Sequence, residues 1–326
     1  MEDIKRRSEE IDKEIQKLYK ERMKLSNMTM ELADLGDVKS IVETALKNTP
    51  EVFPDCALVA CQGVPGSYSQ AAAKQLFNHP DINFYKNFED VFLAIERGEC
   101  EYGVLPIENS TAGSVNKIYD LLIYHRCYIV RSTRLKINHN LMAHAGSKRN
   151  KIQRIYSHEQ ALNQCEGYLK GFDDVEVLTC SNTAKAAKIA AEDETGTTAA
   201  ICSSSCAEIY DLDILDRAIQ DNNNNYTKFI CISKTPQIFP GADITSIMAK
   251  ISHKPGSLFE VMKIFAEKGY NLTKLESRPV PDTAFEFMFY FDFDAPIVHE
   301  GFVDAIMEMS LHCEDLEYLG SYTERI

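Results

Sequence analysis

No run of residues in this chain approaches the ~20 consecutive apolar residues that a membrane-spanning helix needs, so no membrane partner is expected. Positive charge is also scarce. Thirty-five Lys and Arg stand against 49 Asp and Glu, a formal charge of −14. That balance excludes nucleic acid and anionic membranes as principal partners. An anionic substrate would have to be held locally, by helix N-termini, hydroxyls and a few cations. The chain has ten cysteines but no Cys-x-x-Cys pair, and Cys202 and Cys206 lie far in sequence from any histidine grouping. Neither a metal centre nor a disulfide framework is expected; the cysteines read as buried thiols of a cytoplasmic protein. The first thirty residues alternate charges with single apolar residues, which is not a secretory signal. No Gly-Lys-Ser/Thr P-loop and no complete dinucleotide fingerprint occurs, and no cofactor is expected.

What is present is an ordinary globular composition, 44% hydrophobic and 26% charged, over 326 residues. That length suffices for two or three cores. In residues 1–32, Ile4, Ile11, Leu18, Leu25 and Leu32 recur every seven residues and predict one amphipathic helix. Arg22 falls on its apolar seam, either snorkelling to solvent or turned inward toward an anion. A short helix (Val38, Ile41, Val42, Leu46) follows, then Pro50 and Pro54 mark a linker. From 57 to 233, strands at 57–62, 82–85, 102–107, 128–135, 154–156, 176–179, 199–202 and 229–232 alternate with helices. This predicts α/β architecture with mostly parallel sheets, in which ligands gather where strands end and helices begin. Residues 244–323 read strand–helix–strand–strand–helix–strand, a ferredoxin-like βαββαβ module, set off by Pro236, Pro240 and Gly241.

Polar motifs cluster at the strand ends. Gly63 and Gly66 with Ser67, Tyr68 and Ser69 open a helix, either as a cap or as a site where backbone approaches a ligand. Glu108, Asn109 and Ser110 sit between Pro106 and Gly113, and turn chemistry alone does not explain a carboxylate directly after an apolar strand. Ser157 with His158 and Gln160, and Ser181 with Asn182 and Thr183, cap two further helices. Asn225, Tyr226, Thr227, Lys228 and Phe229 place a hydroxyl beside a cation and an aromatic ring. A hydroxyl there can give a hydrogen to a leaving group while staying neutral. In the C-terminal module, Gly256, Ser257 and Leu258 open a helix. Glu276, Ser277 and Arg278 end a strand, either as a surface ion pair or as brackets for an amino acid.

In this order, these motifs resemble the prephenate dehydratase family. More closely, the chain is similar to the bacterial P-protein arrangement: a chorismate mutase helix, a dehydratase domain and an amino-acid-binding ACT domain. The resemblance implies a two-lobed, periplasmic-binding-protein-like dehydratase domain over 56–235, an ACT domain over 242–326, and a mutase-like helical remnant with linker over 1–55. It implies conversion of prephenate to phenylpyruvate, CO₂ and water in phenylalanine biosynthesis, with feedback by L-phenylalanine and a homodimer or homotetramer. Thr227 and Glu108 would be catalytic. Ser67, Tyr68, Ser69, Asn109, Ser110, Ser157, Gln160, Ser181, Asn182, Thr183, Lys228 and Phe229 would contact substrate. Gly256, Ser257, Leu258, Glu276, Ser277 and Arg278 would hold phenylalanine. Lys228 stands where the family has arginine, keeping the charge without the bidentate fork. In the mutase part Arg22 matches a family arginine, Lys5 replaces another, and Ala33 stands in place of the catalytic lysine. The second and third mutase helices have no counterpart, so little or no mutase activity is expected. Two alternatives stay open on these residues: an arogenate dehydratase, and an amino-acid sensor without catalysis.

Overall fold

The computed structural model describes residues 36–47, 49–280, 286–295 and 301–325. The expected helix over 1–32, with Lys5 and Arg22, lies outside the described residues. The first described element is helix α1 (Gly36–Lys47), which buries Val42 and Ala45. Among the described residues no helix is long and apolar enough to cross a membrane.

The first lobe comprises β1 (Cys56–Gln62), α2 (Tyr68–Leu76), β2 (His79–Tyr85), α3 (Phe88–Glu96), β3 (Tyr102–Asn109), β4 (Gly113–Ser114), α4 (Asn116–Leu122) and β5 (Tyr128–Lys136). The second holds β6 (Asn140–His144), β7 (Arg154–Ser157), α5 (Glu159–Asn163), α6 (Glu166–Leu169), β8 (Glu176–Thr179), α7 (Thr183–Glu192), β9 (Thr198–Cys202), α8 (Ser205–Tyr210) and β10 (Leu212–Asp216). The chain then returns to the first lobe as β11 (Tyr226–Ser233), which lies between β5 and β3.

The sheets are mixed rather than mostly parallel. β1 runs parallel to β2 and β3, but β11 is antiparallel to both β3 and β5. In the second lobe β7 is parallel to β8 and β9, while β6 is antiparallel to β9 and β10. The cause is the double crossing. A strand that leaves one lobe and another that returns must run against each other to close the path. The two crossings, residues 137–139 and 217–225, are bonded together: Ile137 N donates to Asn225 O at 2.8 Å and Ile219 N to His139 O at 2.9 Å.

The C-terminal module, β12 (Ile244–Lys250), α9 (Ser257–Glu267), β13 (Asn271–Pro279), β14 (Phe287–Asp294), α10 (Phe302–Ser310) and β15 (Asp315–Tyr322), has the sheet order β13-β14-β12-β15. This is the ferredoxin-like arrangement read from the sequence. It shares a core with the first lobe, where Met248, Met288, Tyr290, Leu319 and Tyr322 pack with Ile118, Tyr119 and Ile129. After β15 a two-residue strand, β16 (Glu324–Arg325), joins the first lobe's sheet beside β5. Helix α1 belongs to this end as well, its Val42 and Ala45 packing with Ile247, Phe302 and Ile306.

Candidate active site

Strands β3 and β11 pair so that Asn109 lies opposite Thr227 and Glu108 opposite Lys228. Successive residues of a strand point to opposite faces. The pairing therefore creates two polar sites back to back, one on each side of the sheet.

On the first face, Asn109 and Thr227 are 6% and 8% exposed. The Asn109 carbonyl oxygen accepts from the backbone N–H groups of Thr111 (3.0 Å) and Ala112 (2.8 Å), which fixes which end of the amide is nitrogen. Its Nδ2 donates to Asn225 Oδ1 (2.7 Å) and to Thr227 Oγ1 (2.9 Å), and lies 3.1 Å from Tyr226 O. An amide nitrogen cannot accept, so Thr227 Oγ1 is the acceptor in this pair and its own hydrogen is directed elsewhere. Among the described residues that hydrogen meets no protein acceptor. Phe229 is buried in the core with Val59, Cys61 and Val104, where it packs behind the strand.

Asn225 also forms one wall of a cavity of about 500 Å³ between the lobes. Thr111 and Ala112 line it from the first lobe, His158, Gln160 and Gln164 from the second, and Asp221 and Asn222 from the return crossing. Its volume is in the range of small-molecule sites. Its lining, among the described residues, is rich in carboxamides and holds Glu159 and Asp221 but no lysine or arginine.

The other expected residues sort by position. Ser67 N-caps α2, accepting from Gln70 N at 3.4 Å, and Asn182 N-caps α7, accepting from Lys185 N at 2.7 Å. The loop carrying Gly66 docks on the second lobe: Ser203 Oγ donates to Gly66 O (2.8 Å), and Gly66 abuts Ala184 and Cys206. Gly66 has φ +89°, and a Cβ there would stand 2.8 Å from the Cys206 sulfur, so glycine is required. Thus the glycine loop and the start of α7, which carries Thr183, come together across the lobes. Ser110 ties the turn after β3 to the start of β11, its hydroxyl accepting from Tyr226 N (2.9 Å) and donating to Asn224 O (3.1 Å). Ser157 is fully buried and donates to Ile201 O (2.6 Å); Ser69 is buried against Cys61, and Ser181 is exposed.

Glu108 and Lys228, expected beside the substrate, are directed instead to the opposite face and meet the C-terminal module. Glu108 pairs with Lys274 Nζ at 2.7 Å, and Lys274 also donates to Ser114 Oγ at 2.9 Å. Lys228 Nζ lies 3.1 Å from Asp292 Oδ2 and 5.8 Å from the centre of the Tyr322 ring. Burial opposes the Lys228 charge, but the Tyr322 oxygen and the Asp292 carboxylate outweigh it and hold the ammonium's pKa above its usual value. Glu276 and Arg278 also turn toward the first lobe. Glu276 accepts from Ser114, and Arg278 makes a two-nitrogen contact with Asp120 at 2.8 and 3.3 Å. Gly256 caps α9 with φ +89°, beside a second cavity lined by Lys254, Pro255, Leu258, Phe287 and Phe289. Ser277 is exposed.

Four residues of the first face were not picked out from the sequence: Gln164, His139, Asn138 and Asn225 as a hydrogen-bonding group rather than a loop residue. Asn225 donates to Gln164 Oε1 (3.0 Å), and His139 Nε2 lies 2.9 Å from the same oxygen. Burial lowers the His139 pKa, and the hydrogen bond to Gln164 offsets only part of that. His139 Nδ1 lies 3.1 Å from the Tyr68 hydroxyl, which also donates to Asn138 O at 2.8 Å.

A family profile described as "Prephenate dehydratase" matches residues 59–237. The chain is similar to "Arogenate dehydratase 2" of Petunia hybrida, 37% identical over 281 residues that cover 81% of this chain and 71% of that protein. It is similar along its whole length to the "Bifunctional chorismate mutase/prephenate dehydratase" of Aquifex aeolicus, 31% identical, covering 98% of that protein. Among solved structures it resembles the prephenate dehydratase of Arthrobacter aurescens in complex with L-Phe. There the TM-score is 0.74 at 28% identity, covering 82% of this chain and 90% of that one.

Proposed function

The chain belongs to the prephenate dehydratase family, and on that premise we propose that it converts prephenate to phenylpyruvate at the Asn109–Thr227 face of the inter-lobe cleft. The ring carboxylate leaves as CO₂, and its C–C bonding pair enters the ring. The ring C–O bond breaks, and the departing oxygen takes a proton and leaves as water. The ring becomes aromatic, so the enzyme has to orient the carboxylate and assist one leaving group.

The observation that carries this reading is the Thr227 hydroxyl, which accepts from Asn109 and keeps a hydrogen that no described protein group takes up. Thr227 gives that hydrogen to the departing oxygen as its C–O bond breaks, and the threonine oxygen regains a proton from solvent, so that one proton is consumed overall. Gln160, the N-terminus of the short helix that follows His158, and Thr111 and Ala112 just beyond Asn109 border the substrate cavity. Ser67, Asn182 and Thr183 lie at the other junction of the two lobes, where Gly66 meets Ala184. Glu108 and Lys228 act from the far side of the sheet, through the C-terminal module rather than on the substrate.

L-Phenylalanine binds the C-terminal module, entering beside Gly256, Ser257 and Leu258, and inhibits the reaction. The L-Phe complex of the related dehydratase supports this assignment. Exposed Phe259 and Met262 on α9 and Leu275 on the edge strand support self-association into a homodimer or homotetramer. Ten free cysteines, seven of them buried, suit a reducing cytoplasm. Chorismate mutase activity is weak or absent.

The test is a parallel assay of phenylpyruvate from prephenate and phenylalanine from arogenate, with wild type and Thr227→Ala. Prephenate turnover that falls by about 10²–10⁴-fold in the variant is expected. Near-full turnover by Thr227→Ala would remove Thr227 from the mechanism, and turnover of arogenate alone would reassign the substrate.

A further inference from the structure

Strands β13 and β14 form a plate whose two faces meet different surroundings. Their register sets Glu276 beside Tyr290, Ser277 beside Phe289, Arg278 beside Met288 and Pro279 beside Phe287. Side chains alternate along a strand, so Phe287 and Phe289 face one way and Met288 and Tyr290 the other. The first two line the second cavity, of about 360 Å³, together with Lys254, Pro255 and Leu258. The other two are buried in the core shared with the first lobe. Glu276 and Arg278, in register with them, lie on this lobe side as well. A single layer of backbone therefore separates the cavity from the lobe contact.

On the lobe side the plate grips helix α4. Arg278 makes its two-nitrogen contact with Asp120, and the Tyr290 ring meets that of Tyr119 edge-on, with centroids 4.9 Å apart. Only Val115 separates α4 from β4, which pairs Ser114 with Glu108 and Gly113 with Asn109. Thr111 and Ala112, in the turn between β3 and β4, line the cavity between the lobes. The helix held by the C-terminal module thus continues directly into a wall of the substrate site. A ligand filling the second cavity presses on Phe287 and Phe289, and a close-packed plate passes such a push to its other face.

We propose that the Asp120–Arg278 contact is the joint through which a ligand in the Phe287–Phe289 cavity acts on the substrate site, with α4 as the moving part. Arg278 and Glu276 transmit the presence of the effector and do not hold it. The proposal rests on the reading that L-phenylalanine binds the C-terminal module and inhibits. The paired side chains are 21% and 30% exposed, so the contact adds little to stability and its loss leaves the fold intact.

The test compares full-length wild type with Asp120→Asn and Arg278→Gln. Calorimetry gives the Kd for L-phenylalanine, and prephenate turnover is measured with and without a saturating amount of it. Without phenylalanine, both variants should keep kcat and KM within about twofold of wild type. Their Kd for phenylalanine should stay within about threefold, while the inhibition is lost: saturating phenylalanine lowers wild-type turnover about fivefold or more and theirs by less than about twofold. In wild type, hydrogen–deuterium exchange of peptides spanning residues 113–122 should change when phenylalanine is added.

Variants inhibited as strongly as wild type overturn the proposal. Loss of phenylalanine binding in Arg278→Gln also overturns it, by placing the guanidinium in the effector site. Unchanged exchange over 113–122 does so without any substitution, and therefore stands even where a variant fails to fold. The two readings fail differently. A wild type that neither binds phenylalanine nor is inhibited by it removes the effector reading and this proposal with it. A wild type that is inhibited, beside variants inhibited equally, removes the joint alone.

Discussion

Lys228 Nζ lies 3.1 Å from Asp292 Oδ2, and this pair ties the strand that carries Thr227 to the C-terminal sheet. Its side chains are 16% and 6% exposed, so the two charges are largely withdrawn from water. Glu108, one residue before Asn109, makes the matching tie to Lys274. Each strand of this pair therefore carries a residue of the Asn109–Thr227 face on one side of the sheet and a domain-contact residue on the other. A lysine suits this geometry. It meets one carboxylate end-on above a tyrosine ring, a task that a point charge performs without a bidentate fork.

Lys228→Met should leave the Asp292 carboxylate buried without its cation. The expected cost is about 3 kcal/mol or more, read as a lowered urea midpoint. Combining it with Asp292→Leu should restore part of that loss, since an apolar pair has no charge to desolvate. If the double variant is less stable than Lys228→Met by the full cost of Asp292→Leu alone, the two residues are not coupled.

Glu108→Gln separates catalysis from regulation. Its side chain faces Lys274 and not the cleft, so KM for prephenate should stay within about twofold while the phenylalanine concentration for half-inhibition shifts by about threefold or more, a coupling change near 0.7 kcal/mol. A loss of turnover like that of Thr227→Ala, with unchanged phenylalanine response, would return Glu108 to the active site.

A dianionic substrate approaches a chain of charge −14 and a cavity whose described lining has no lysine or arginine. Long-range electrostatics then oppose association, and salt screens that repulsion. The expected outcome is a kcat/KM that rises as ionic strength goes from about 10 mM to about 150 mM, where the Debye length shortens to about 8 Å. A cation-lined site predicts the reverse, and a fall in kcat/KM would show that cations reach the substrate.

Much of this could be read from the sequence, and the failures have identifiable causes. The run around Thr227 and the turn around Asn109 do meet, because both end apolar strands that pair in the centre of one sheet. The same period of two that places Asn109 and Thr227 together sends Glu108 and Lys228 to the other side. That alternation was legible, but chemical type drew all four into one site. Strands β6 and β10 went unread because each offers only three apolar residues, Leu141–Ala143 between polar ends in one and Leu212, Ile214 and Leu215 interrupted by Asp213 in the other. The sheets were read as mostly parallel because alternation of strands and helices is local, whereas the direction of β11 depends on the chain having crossed between lobes twice. Gln164 and His139 left no local signal at all. Each is an ordinary polar residue until the lobes bring them within 2.9 Å.

Gly320 marks where the C-terminal module touches the first lobe. Its φ is +146°, and a Cβ there would lie 2.0 Å from the Ile129 carbonyl oxygen. The obstacle is backbone near the start of β5, not a movable side chain. Gly320→Ala should force β15 away from β5 and cost about 2 kcal/mol or more, lowering Tm by about 4 °C or more. Retained wild-type Tm would mean that the two sheets do not approach this closely.

The last prediction concerns acid. Burial lowers the His139 pKa below the ordinary value of about 6.5, while the unfolded chain titrates near that value. Above about pH 6.5 both states are neutral at this residue and it adds no pH dependence. Below it the unfolded chain takes up a proton that the folded protein refuses, so stability falls as pH drops toward the folded pKa. Each unit of difference is worth about 1.4 kcal/mol. Its hydrogen-bonding neighbours Gln164 and Tyr68 are neutral in this range and do not supply a compensating charge. His139→Gln should therefore be less stable than wild type at pH 7.5, having lost a buried hydrogen-bonded group, yet lose less stability between pH 7.5 and 5.5. Urea midpoints of both proteins at the two pH values measure the difference, and the two curves running parallel would show that His139 accepts a proton as readily folded as unfolded.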